Sequence, residues 1–104
     1  MAVSALPSLS HFGIYVHDVE RMVAFYTRVF GLKETDRGEG STFRNTLVFL
    51  SARPEQHHQL VLASGRPADA TFSTVMQMSF KVPAIDDLRR IHRDALAEGA
   101  TGMR

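Results

Sequence analysis

Three places in this chain carry side chains suited to metal binding or proton transfer: His11, within Ser10-His11-Phe12-Gly13-Ile14-Tyr15-Val16, the adjacent pair His57-His58, and Gln77. An unperturbed imidazole titrates at about pH 6.5, so it takes and returns a proton near neutrality, and in its neutral form it is a borderline ligand for iron, manganese, zinc or nickel. The 104 residues include no cysteine, which excludes disulfides, thiolate metal sites and a cysteine nucleophile. Any metal must then be held by histidine, carboxylate or amide oxygen. No phosphate-binding glycine loop and no hydrolase serine motif is present. Tyr15 and Tyr26 could offer a phenol, but Tyr26 falls on an apolar helical stripe and belongs to a core. His92 reads as a surface residue, and Arg44 and Arg53 as solvated cations.

The elements that must position these groups follow from periodicity. Alternation over Ser10–Val16 predicts a first strand with His11, Gly13 and Tyr15 on one face and Phe12, Ile14 and Val16 on the other. Asp18 is suited to accept from the free amides of a helix start. Val19, Met22, Val23, Tyr26, Val29 and Phe30 then recur at helical spacing up to Gly31, a C-terminal stop. A short strand is expected over Leu32–Thr35, a reversal over Asp36–Ser41, and two more strands over Arg44–Leu50 and His58–Ala63. The first unit is therefore β-α-β-β-β, spanning about residues 8–64 after a loose start over Met1–Pro7.

Ser64–Thr74 reads as a linker, Val75–Val82 as a strand, and the stretch from Pro83 as a helix with Ile85, Leu88, Ile91, Ala95 and Leu96 on one face and Gly99 at its exit. His11–Val16 and Gln77–Val82 share a polar residue, a four-residue spacer and valine, offset by 66 positions from 11 to 77, and an amphipathic helix follows each. This weak repeat implies a second unit over about residues 75–104 that ends after its helix, before the strands that complete the first. The unfinished unit would leave an open edge and apolar surface, so either a second chain covers them or the sequence is part of a longer protein, and a chain at least dimeric is expected.

Composition sets the remaining bounds. Hydrophobic residues make up 44% and charged residues 22%, ordinary values for one globular domain spanning residues 1–104. Twelve basic residues against eleven acidic ones give a net charge of +1 with no cluster of either sign, so neither nucleic acid nor an anionic membrane is an expected partner. No apolar run approaches the ~18 residues of a membrane span and no signal-peptide pattern opens the chain, so a cytoplasmic location is expected.

His11-Phe12-Gly13-Ile14-Tyr15-Val16, then Asp18 and Phe25-Tyr26-Thr27-Arg28-Val29-Phe30-Gly31-Leu32, resembles the opening of a module of the vicinal oxygen chelate superfamily, which groups glyoxalases, bleomycin-resistance proteins and extradiol dioxygenases. His17 intervenes between the valine and aspartate that usually adjoin in that family. The resemblance implies an α+β fold with a mixed sheet curled into an open cup. It also implies a divalent metal, Fe(II) or Mn(II), with His11 as one ligand and Gln77 at the equivalent position of the second module. Ring-cleaving relatives usually have histidine where Gln77 stands, and their carboxylate ligand belongs to a later strand that this sequence does not contain.

The pair His57-His58 resembles the extradiol-dioxygenase segment that supplies an acid-base histidine beside the metal, a role that falls on His58. Val61 and Leu62 occupy the region where glyoxalases carry a glutamate ligand, which argues against glyoxalase I activity. The resemblance thus implies a metal-dependent extradiol ring-cleavage dioxygenase acting on a catechol-type aromatic (nearest the biphenyl-2,3-diol 1,2-dioxygenase branch), and the unfinished second unit adds the expectation of a homodimer. Two other readings stand beside it: a metal-free binding protein of the bleomycin-resistance type, and a truncated product without activity.

Overall fold

The computed structural model describes residues 5–102. The first four residues of the expected loose start and the last two of the chain lie outside that range. The elements run β1 (Phe12–Val16), α1 (Val19–Phe30), β2 (Lys33–Glu39), β3 (Thr46–Ser51), β4 (Leu60–Ser64) and α2 (Ile85–Ala97). The four strands form one open mixed sheet in the order β1-β4-β3-β2. β1 runs parallel to β4, and the β4–β3 and β3–β2 pairs are antiparallel. This is the expected α+β arrangement, consistent with the vicinal oxygen chelate fold.

Helix α1 forms where its end signals stand. The Asp18 carboxylate accepts from the Arg21 amide at 3.1 Å, and Gly31 leaves the helix at φ 70°, its amide donating to the Thr27 carbonyl at 3.1 Å. No atom lies within 4 Å of a Cβ built on Gly31, so a side chain there meets only backbone strain. Gly31→Ala is expected to cost about 1–2 kcal/mol, read as a lower urea midpoint with an unchanged slope.

The strand period of two divides the sheet's residues between its faces. Val16, Val48, Leu50, Leu60 and Leu62 point toward α1 and form the buried cluster with Leu32, against which Val19, Met22, Val23, Tyr26 and Phe30 pack. Tyr26 is thus a core residue, as its place on the helical stripe predicts, and burial raises its phenol pKa. Gly13, Tyr15, Val61 and Phe49 belong to the opposite face, which no helix among the described residues covers.

Two segments depart from the expected elements. Strand β2 does not end at Thr35 but continues through Asp36-Arg37-Gly38 to Glu39, and the reversal falls over residues 40–45, closed by Gly40 N donating to Asn45 O at 2.7 Å. Ion pairs carry this polar strand: Arg37 binds Glu34 and, from α1, Glu20, both at 2.7 Å. These pairings favour the charged forms, raising the Arg37 pKa and, chiefly through the Arg37 hydrogen bond, lowering that of Glu34.

The expected strand over Val75–Val82 is not formed. A strand needs a ladder partner for its backbone groups, and this segment is anchored by side chains instead. Met78 packs against the core cluster, and Phe80 stacks on Phe30 of α1 with ring centroids 4.2 Å apart and planes 17° from parallel. Helix α2 then lies against α1, tied by Arg28 to Glu98 at 3.3 Å, and Gly99 follows at φ 95°, the stop expected there. Ala95 is buried, whereas Ile85, Leu88 and Leu96 of the apolar stripe are exposed.

Candidate functional site

Parallel pairing of β1 with β4 brings together the beginnings of two strands far apart in sequence. The register sets Phe12 opposite Leu60, and the Phe12 amide donates to Gln59 O at 3.2 Å. His11, just before β1, therefore meets His58, just before β4. Their ring centroids lie 4.1 Å apart at an interplanar angle of 60°. The Ser10 hydroxyl lies 3.1 Å from His11 Nδ1, and Gln56 Nε2 donates to the Ser10 carbonyl at 3.2 Å, tying the two strand starts together.

The contacts continue from His58. Its Nδ1 lies 2.9 Å from Nδ1 of His57, whose Nε2 lies 3.3 Å from Asp36 Oδ2. Phe49 of β3 packs beside both rings, its centroid 5.4 Å from His57 and 4.9 Å from His58. Asp36 reaches this face because of a β-bulge: Glu34 opposes Leu50 and Asp36 opposes Phe49, leaving Thr35 as the extra residue. The Thr35 hydroxyl donates to the carbonyls of Phe49 and His57, which holds the bulge against the histidine pair. Sequence reasoning missed Asp36, reading its segment as a turn, and gave no role to Phe49. A strand of alternating polar residues opposite an apolar one was the available signal, but no sequence pattern marks the bulge.

Gln77 is exposed, and its side-chain amide donates to Ser79 Oγ at 2.9 Å. The structure brings His11 and His58 into contact and records no contact of Gln77 with either. Among the described residues, no group of three or more histidine, cysteine, aspartate or glutamate side chains converges to hold a metal ion. Of the expected donors, His11 lies in contact with His58, which His57 also touches, Gln77 lies apart, and, among the described residues, no carboxylate adjoins His11 and His58. Asp36 is turned to the far side of His57.

The histidine face is open. Two concavities lie elsewhere on the molecule, neither lined by His11, His57 or His58. One of about 650 Å³ runs along the outer edge of β1 between Tyr15, Met22, Arg66 and Phe72, and one of about 300 Å³ lies between Phe12, Gln59, Met78 and Phe80. In a parallel ladder alternate residues bond to opposite sides, so with Phe12 turned to β4 the backbone groups of Gly13 and Tyr15 face the larger concavity. Among the described residues, no helix is long and apolar enough to cross a membrane.

Burial, and after it the neighbouring His11 and His57, lowers the His58 pKa. His58 thus gives up its proton more readily than a free imidazole. The unfolded chain, with its imidazole at about 6.5, then binds the proton more readily than the folded one. This contribution to stability is intact above about pH 6.5 and declines as the pH falls toward the lowered folded value. Urea midpoints measured between about pH 7.5 and 5 are expected to fall more steeply for the wild type than for His58→Asn. Parallel curves would show that His58 does not contribute.

No curated protein and no solved structure gives a significant match to the chain. A family model does match, over residues 8–104, and the observed β-α-β-β-β element order is consistent with the fold of that family. The chain belongs to the Glyoxalase/Bleomycin resistance protein/Dioxygenase superfamily.

Proposed function

We propose that this chain is a small-molecule binding protein of the bleomycin-resistance type, taking an aromatic diol on the histidine face of its sheet and acting as a homodimer. The observation that carries the reading is the composition of that face: His11 and His58 in contact, an aromatic wall at Phe49, a third imidazole, His57, engaged with His58 and Asp36, and, among the described residues, no group of three or more side chains that converges to hold a metal ion. Neutral His58 accepts a hydrogen bond from one hydroxyl of the diol, His11 serves the second, and the ring rests against Phe49 and Val61. Dimerisation is supported by the free edge of β1 and by the exposed Ile85, Leu88 and Leu96 of α2, which a second copy would cover.

A second reading, extradiol ring cleavage of a catechol-type aromatic, is favoured by one observation, the 4.1 Å approach of His58 to His11. There His58 would be the acid-base residue, and His11 and Gln77 would be ligands of Fe(II) or Mn(II). Among the described residues, the donors of one chain do not by themselves complete that centre.

Metal analysis of the purified protein after anaerobic loading, paired with calorimetric titration of catechol, separates the two. Catechol binding by the metal-free protein, abolished in His11→Ala, is the result expected for a binding protein. Stoichiometric iron or manganese that disappears in His11→Ala, with oxygen uptake on adding catechol, would establish the dioxygenase instead. Light scattering at micromolar concentration is expected to give twice the chain's 11.6 kDa, and a monomeric mass would overturn the homodimer.

A further inference from the structure

We propose that Asp36 and His57 are positioning residues that hold His58 in its Nδ1–H tautomer, so that Nε2 presents a lone pair to whatever binds on the histidine face. The inference rests on the geometry of the chain Asp36–His57–His58 and deepens the ligand reading above without depending on it.

An ionised carboxylate can only accept hydrogen bonds, whereas a neutral imidazole donates from one nitrogen and accepts at the other. His57 Nε2, 3.3 Å from Asp36 Oδ2, must therefore carry its ring proton. That leaves His57 Nδ1 as an acceptor. The group 2.9 Å away is His58 Nδ1, which must then be the donor. The single proton of neutral His58 is thereby placed on Nδ1, and Nε2, on the far side of its ring, is unprotonated. Each link is fixed by the one before, so one carboxylate sets the polarity of two rings, much as a second partner on an imidazole fixes its tautomer in metal and acid-base sites.

The neighbours stiffen this arrangement. The Thr35 hydroxyl binds the His57 carbonyl, Phe49 packs on both rings, and His11 closes the other side of His58. A lone pair at Nε2 suits a phenolic hydroxyl, which needs an acceptor, whereas the opposite tautomer would present N–H to another donor.

The experiment is ¹⁵N NMR of the imidazole nitrogens in histidine-labelled protein at about pH 8, where unperturbed imidazoles are neutral. In the wild type, His58 is expected to show a protonated Nδ1 and an unprotonated Nε2. In Asp36→Asn the amide can donate to His57 Nε2, which reverses the chain and moves the His58 proton to Nε2. His57→Phe removes the acceptor and should shift the His58 population the same way. Both replaced side chains are largely exposed, so both variants are expected to fold. Catechol affinity in Asp36→Asn is expected to fall about tenfold although Asp36 does not touch the ligand, the equivalent of one ordinary hydrogen bond.

A wild-type His58 protonated at Nε2, or an Nδ1–H form that survives both substitutions, would overturn the inference. The expected tautomer and its reversal, in a protein to which catechol does not bind, would sustain the inference and remove only the diol reading.

Discussion

Leu62→Ala is expected to destabilise the protein by about 3 kcal/mol, within the 2–5 kcal/mol range for removing a fully buried leucine. Leu62 is wholly inaccessible to solvent and sits at the middle of the sheet, opposite Ile14 in β1 and Val48 in β3. Its side chain points at α1, so truncation opens a cavity between the sheet and the helix where neither can close in without breaking the ladder. Neighbouring Val61 points to the open face, and Val61→Ala should cost well under half as much. The comparison, made by urea denaturation at a fixed pH, tests the division of the two faces as well as the core: similar losses at both positions would mean that the histidine face is covered in solution.

His58→Phe is expected to weaken catechol binding by about tenfold or more. Phenylalanine keeps a ring beside Phe49, 4.9 Å from His58 in the native protein, and beside His11. It loses the acceptor, and the diol hydroxyl is left without a partner against an apolar surface, a loss of about 1–3 kcal/mol. His92→Ala, on the exposed surface of α2, should leave the affinity unchanged. Equal effects of the two substitutions in a calorimetric titration would move the binding site away from the histidine face. Protonation of His58 should abolish the same interaction, so affinity should fall with decreasing pH.

The first unit of the fold could be read from the chain because its signals are local. Asp18 and Gly31 mark the ends of α1, and the apolar positions between them recur at its period. The extent of β2 was not local: Asp36-Arg37-Gly38 has turn composition, and it becomes a strand because β3 offers a ladder and because Arg37 finds Glu34 and Glu20. Val75–Val82 is the converse case. Its composition suits a strand, but what holds it is the stacking of Phe80 on Phe30, and alternation of side chains cannot say whether a ladder partner exists. The candidate site divides in the same way. His11 and His58 were legible as residue types at strand beginnings, whereas their meeting depends on a parallel register, and Asp36 reaches them through a bulge.

The pairing of β1 with β4 also bears on how the molecule folds. β2 and β3 are joined by a reversal of a few residues, so their ladder closes with little loss of chain entropy, and β4 follows on the other side of β3. The β1–β4 ladder instead links Phe12 with Leu60 across 48 positions and must close a loop that includes α1 and the hairpin. Long-range parallel pairing of this kind is slow, because ordering the loop precedes any gain from the contacts it brings together. Docking of β1 is therefore the step that completes the sheet, and the two imidazoles come together only when that step is finished.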